Sequence, residues 1–284
     1  MILPSFLEYS EIQLQIKMQK VCANINKFQE ISGQKPQKIN QNSNQIKRQK
    51  THTLEQNYPN TLSFHLDFVL QEFGKNRQVM QSLEQKTVFN LLLKLFENKS
   101  LQLSVHLMGE NLDWEKAFEF WQNFEIPPNW QVDLFVEPKM TNFFRFENKN
   151  LNTFCWFDKD FLQTEVDNNF EKIEENRIFD NKNVNKNLKT KGKDLKNIQT
   201  KQELQTNKKQ KVLLMTVFAG ISGQKLEEET QKLALEIVKK KPEIDFILDG
   251  GWKIEDLEII KKLDLKNVDL VSYSSFWQRF ETQN

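Results

Sequence analysis

Residues 212–272 read VLLMTVFAGISGQKLEEETQKLALEIVKKKPEIDFILDGGWKIEDLEIIKKLDLKNVDLVS. Three short apolar runs stand out: Val212–Val217, Ile244–Leu248 and Val268–Ser272. Two helical patterns separate them, Leu226–Lys240 and Ile254–Leu263. Near-continuous apolar strands fit a sheet buried on both faces, and their alternation with helices is the signature of a parallel sheet.

The same rhythm runs back toward the N-terminus. Ile2–Ser5 reads as a clipped first strand, and Ile12 to about Ile31 as an amphipathic helix. Leu62–Val69 is the second strand, and Val88–Phe96 the core of the next helix. Leu101–Met108 is a third strand, followed by a Trp-rich helix from about Trp114 to Phe124. Gln131–Val136 is a fourth strand and Thr153–Phe157 a fifth. Eight strands predict a (β/α)8 TIM barrel, and the 284 residues suit a single domain over 1–284.

Two segments break the pattern. Ser32–Asn60 is rich in Gln, Asn and Lys, and Asp180–Gln210 in Lys and Asn. Neither can bury enough apolar surface to offset its ordering entropy, so both read as low-complexity insertions. Removing them leaves roughly 220 residues, close to one barrel with short loops.

The overall balance is 40 basic against 39 acidic residues, which implies neither a nucleic-acid partner nor a membrane surface. Ten Lys against two acids between Lys182 and Lys211 form a local basic run, read as a solvated insertion. Cys22 and Cys155 lie far apart and outside any C-x-x-C pair, as thiols do in a reducing cytosol. No basic leader and no long apolar run occur, so a soluble, cytoplasmic protein is expected. Trp114, Trp121 and the run Phe143–Phe146 could furnish a homo-oligomer interface, although helix-to-barrel packing is their expected fate.

Of three His, His52 lies in the first insertion, whereas His65 and His106 lie on predicted strands. In Ser63-Phe64-His65-Leu66-Asp67-Phe68, a period of two puts His65 and Asp67 on one face and the bulky apolar residues on the other. His106 follows on the next strand, in Leu103-Ser104-Val105-His106-Leu107-Met108. Asp249 ends a strand and precedes Gly250-Gly251, where barrels place catalytic groups. Two imidazoles and two carboxylates suit one divalent ion, with Zn, Fe, Mn and Co all acceptable. Such an ion can polarise a carbonyl and stabilise an enediolate. Carboxylates on opposite sides of a planar intermediate can then act as acid and base, so Asp67 and Asp249 are the catalytic candidates. Gly220-Ile221-Ser222-Gly223 and Gly250-Gly251 follow late strands and suggest a phosphate cradle.

Taken in order, these motifs resemble the ribulose-phosphate 3-epimerase family. Ile2-Leu3-Pro4-Ser5 resembles its opening strand, His65-Leu66-Asp67 its H-x-D, and Val105-His106-Leu107-Met108 its V-H-L-M. Leu214-Met215-Thr216-Val217 through Gly220, Gly223, Gln224 and Lys225 resembles its phosphate-loop stretch, and Leu248-Asp249-Gly250-Gly251 its V-D-G-G. The resemblance implies a ribulose-phosphate-binding barrel that interconverts D-ribulose 5-phosphate and D-xylulose 5-phosphate. It implies one divalent metal ion on His65, Asp67, His106 and Asp249, and a small phosphorylated ketose as partner. It also implies substrate contacts from Ser5, Met108, Met215, Gly220, Ser222, Gly223, Gly250, Gly251, Tyr273 and Ser274. A related ketohexose phosphate, or a metal-binding barrel acting as a scaffold, are the alternatives. The departures fall around the substrate: Phe68-Val69-Leu70 replaces x-M-D, Phe218-Ala219 replaces Asn-Pro, and Tyr273-Ser274 replaces Gly-Ser. Glu137 and Thr153–Asp158 match poorly.

Overall fold

The structure is a computed structural model that describes residues 1–6, 10–34, 61–144, 146, 148–164, 210–221 and 223–282. Eight parallel strands close into a barrel in chain order. They are β1 (Ile2–Phe6), β2 (Leu62–Val69), β3 (Leu101–Met108), β4 (Trp130–Val136), β5 (Leu151–Phe157), β6 (Lys211–Met215), β7 (Asp245–Asp249) and β8 (Val268–Ser272). Helices α1 (Glu11–Ala23), α2 (Ile25–Ser32), α3 (Gln71–Arg77), α4 (Gln85–Phe96) and α5 (Leu112–Asn123) join the first four strands. Helix α6 (Lys159–Thr164) follows β5, α7 (Glu228–Lys240) follows β6, α8 (Leu257–Lys262) follows β7 and α9 (Ser274–Thr282) follows β8. The predicted (β/α)8 barrel is the fold.

Side chains alternate between two apolar layers, as the two-residue strand period requires. The outward set packs under the helices, and Phe6, Phe28, Phe64, Phe276, Trp277 and Phe280 make an edge-to-face chain between β1, β2, α2 and α9. A smaller inward cluster lines the barrel interior with Leu3, Val69, Met108, Phe135, Trp156, Leu213, Met215 and Val271. At the floor of the barrel the lining turns polar: Lys211 pairs with Asp133, which also accepts from Asn152 Nδ2 at 2.8 Å.

Four local departures have physical causes. The helix expected over Ile12–Ile31 is two, because Asn24 leaves helical geometry (φ −133°, ψ 41°) and its side chain donates to Lys20 O. The helix expected over Ile254–Leu263 begins as a 3-10 turn at Ile254–Asp256. Strand β5 starts two residues earlier than expected, at Leu151. Ser32 is buried at the end of α2, and the Gln34 amide exchanges two 3.0 Å hydrogen bonds with the Ser63 backbone. The barrel framework thus extends three residues into the first expected insertion. The remainder of that stretch, His52 included, and nearly all of Asp180–Gln210 lie outside the described residues.

The aromatic residues weighed for self-association mostly pack inward. Trp114, Trp121 and Phe144 are buried, and only Phe143 is exposed. No described helix is long and apolar enough to cross a membrane.

Candidate metal centre

Strand pairing sets the site level by level. On the inner face His65 stands beside Ser104 of β3, and one step higher Asp67 stands beside His106. Asp249 enters from β7 on the other side of the barrel, where its partner is Met215 of β6. His65 and His106 are fully buried, while Asp67 and Asp249 are 9% and 7% exposed. The four residues each present a ligand atom, all within 4.8 Å of one another.

The separations test whether an ion fits. Ligands held at roughly 2.1 Å around a tetrahedral ion lie about 3.4 Å apart. His65 Nε2 lies 3.1 Å from Asp67 Oδ1 and 3.5 Å from Asp249 Oδ2. His106 Nδ1 lies 3.2 Å and 3.8 Å from the same two oxygens. The spacing and the donor set both fit a divalent cation.

Neighbouring groups hold these ligands in place. Ser5 Oγ donates to Asp67 Oδ2 at 2.8 Å, leaving Oδ1 facing the imidazoles. Ser104 Oγ lies 2.9 Å from His65 Nδ1, which turns Nε2 toward the centre. Thr216 Oγ1 donates to the carbonyls of Asp249 and Gly250 and accepts from Trp252 Nε1, which anchors the end of β7. Trp156 meets His106 edge-on, with ring centroids 4.6 Å apart. The inward position of Ser104 was legible, since it lies two residues before His106. The partners of Trp156, Thr216 and Trp252 depend on packing that no local pattern encodes.

Electrostatics couple the cluster tightly. Burial disfavours a charged His65, but the charges and hydrogen bonds of Asp67 and Asp249 outweigh it and push the imidazole up to about 10. Burial alone would raise Asp67, yet His65 and His106 hold its carboxyl well below the usual carboxylate range. His106 Nε2 and Trp156 Nε1 are buried without hydrogen-bond partners among the described residues. An unsatisfied buried group costs about 1–3 kcal/mol, and functional sites are where such costs are tolerated.

The expected substrate residues are placed as follows. Met108 and Met215 belong to the apolar cluster inside the barrel. Gly220, Gly223, Gly250 and Gly251 all have positive φ. Added methyl groups would run into Val217 at Gly250 and come within 2.6 Å of Leu226 N at Gly251. The β6 and β7 loops are thus packed together where the glycines sit, while the space beside Gly223 is open. Tyr273 turns out to α1, where Lys17 Nζ donates to its hydroxyl at 2.6 Å. Ser274 is exposed at the start of α9, and Ser222 lies outside the described residues.

Neither the protein-family models nor the curated proteins match the chain. A TIM barrel with a buried His and Asp group able to hold a metal is compatible with an enzyme.

Proposed function

We propose that the chain is a metal-dependent epimerase acting beside the ketone of a pentulose phosphate, interconverting D-ribulose 5-phosphate and D-xylulose 5-phosphate. The carrying observation is the convergence of Asp67 and Asp249, from β2 and β7, on one pair of imidazoles. A divalent ion held by His65, Asp67, His106 and Asp249 would supply Lewis-acid polarisation of the substrate carbonyl. One carboxylate takes the C3 proton, the C–H electron pair moves into the enediolate, and the other carboxylic acid returns a proton to the opposite face. The reverse reaction exchanges the two roles. Ser5 orients Asp67 through Oδ2, and the inward apolar residues exclude water from the carbanionic intermediate.

Deuterium incorporation at C3 of ribulose 5-phosphate in heavy water tests the reading. The metal-loaded protein is expected to exchange that position and Asp67→Asn to abolish exchange. A ketohexose phosphate panel separates the related substrates. Metal-loaded protein that exchanges no ketose phosphate would favour a second reading, a metal-binding barrel without turnover. Its supporting observation is the apolar filling beside the centre, where Phe135 stands level with His106 in the strand register and Trp156 packs against its ring.

A further inference from the structure

We propose that Leu70–Gln81 is a strap that closes the barrel mouth over the metal centre and swings as a unit about Val69 and Ser82 to admit ligands. Its neck is narrow: Ser82 N donates to Val69 O and Val69 N donates to Ser82 Oγ, both at 3.1 Å. Between these pins the chain makes α3, whose outer residues Lys75, Asn76 and Arg77 are exposed. Phe73 is fully buried and packs, with Val79, on the same inward cluster as Met108 and Met215.

The strap reaches across the barrel. Strands β2 and β6 lie four positions apart in the ring of eight and face each other. Nevertheless, a methyl group at Gly220, in the loop after β6, would lie 3.1 Å from Val79 and 3.2 Å from Phe73. Loops from opposite strand ends can meet this closely only above the mouth.

The attachments identify which side moves. The β6 loop is braced against β7 by Thr216, Val217 and Leu226 and tied internally by Gln224. Beyond its neck and buried ring, the strap is clasped at its edge by hydrogen bonds to the end of β3, where Leu70 N donates to Met108 O, to the loop that follows and to the first turn of α5. Asp113 accepts from Glu72 N and Phe73 N, Glu72 accepts from Leu112 N, and Asn76 donates to Glu110. A segment held this way opens at a lower free energy than the strands beneath it.

The proposal rests on the metal reading only for its first assay, the rate of Co²⁺ uptake by metal-free protein followed by absorbance. Phe73→Ala, which removes the buried ring, is expected to speed uptake at least about tenfold while equilibrium affinity changes less than about threefold. Gly220→Ala, which wedges the latch from the opposite side, is expected to act in the same direction. Uptake unchanged in both variants overturns the strap. Hydrogen exchange of the wild type is the second assay, with strap amides expected to exchange well before those of β2 and β3. Protection equal to those strands overturns it as well. A chain that takes up no Co²⁺ would defeat the metal reading, and hydrogen exchange would then decide the strap alone.

Discussion

Metal binding at this centre is expected to expel about one proton near neutral pH, and His65 is its source. In the metal-free protein the two carboxylates push His65 up to about 10, despite full burial of the ring. A metal ligand must be the neutral imidazole, so the ion competes with that proton. At about pH 7.5 the gap is roughly 2.5 pH units, which at 1.36 kcal/mol per unit is about 3 kcal/mol. Apparent affinity there is then roughly 300-fold below its high-pH limit, rising about tenfold per unit until it flattens near pH 10. Asp67 adds no proton in that window, because its carboxyl is already ionised.

The same protonation carries a stability signature of opposite sign. His65 in the folded, metal-free protein lies above its ordinary 6.5. Its interaction with the carboxylates stabilises fully below about pH 6.5 and is lost as pH rises toward about 10. Metal-free protein therefore weakens with rising pH over that window, whereas metal-loaded protein gains. Calorimetric titration with Co²⁺ in two buffers of different ionisation enthalpy counts the protons directly. Zero protons released at about pH 7.5, together with pH-independent affinity, would refute the electrostatic account of the cluster.

Two further outcomes follow from single contacts. Gly251→Ala puts a methyl group 2.6 Å from Leu226 N on a backbone at φ +75°, and should destabilise the fold by roughly 2–4 kcal/mol in urea unfolding. A loss under about 1 kcal/mol would mean that the β6 and β7 loops are not packed as described. Ser104→Ala removes the partner of His65 Nδ1 and should weaken metal binding about 10- to 100-fold, and stranding that buried nitrogen should also cost the metal-free protein about 1–3 kcal/mol in urea unfolding. Unchanged affinity would show that Ser104 does not orient the ring.

The barrel was legible because its evidence is local and repeated. Each strand is a short apolar run, each helix has its own apolar face, and eight such units leave few other closed arrangements. The boundaries were less legible where one residue decides them, as Asn24 does between α1 and α2. Helix α3 leaves no signal in the sequence for a related reason. It has seven residues, includes Gly74 and buries only Phe73 and Gly74, so it carries no helical periodicity.

What the chain's own order determined is the barrel, the inward aim of His65 and Asp67, and the placing of His106 on the adjacent strand. Strand period and strand order suffice for these, because both are properties of short segments. The tertiary structure decided how Asp249, expected in the set from its strand end and from the resemblance, reaches the same centre from the other side of the ring. It also decided that Ser5 and Ser104 brace the ligands, and that residues after β2 meet Gly220 across the mouth. Those relations join residues up to about 180 positions apart through barrel closure, and closure is set by the packing of all eight strands together.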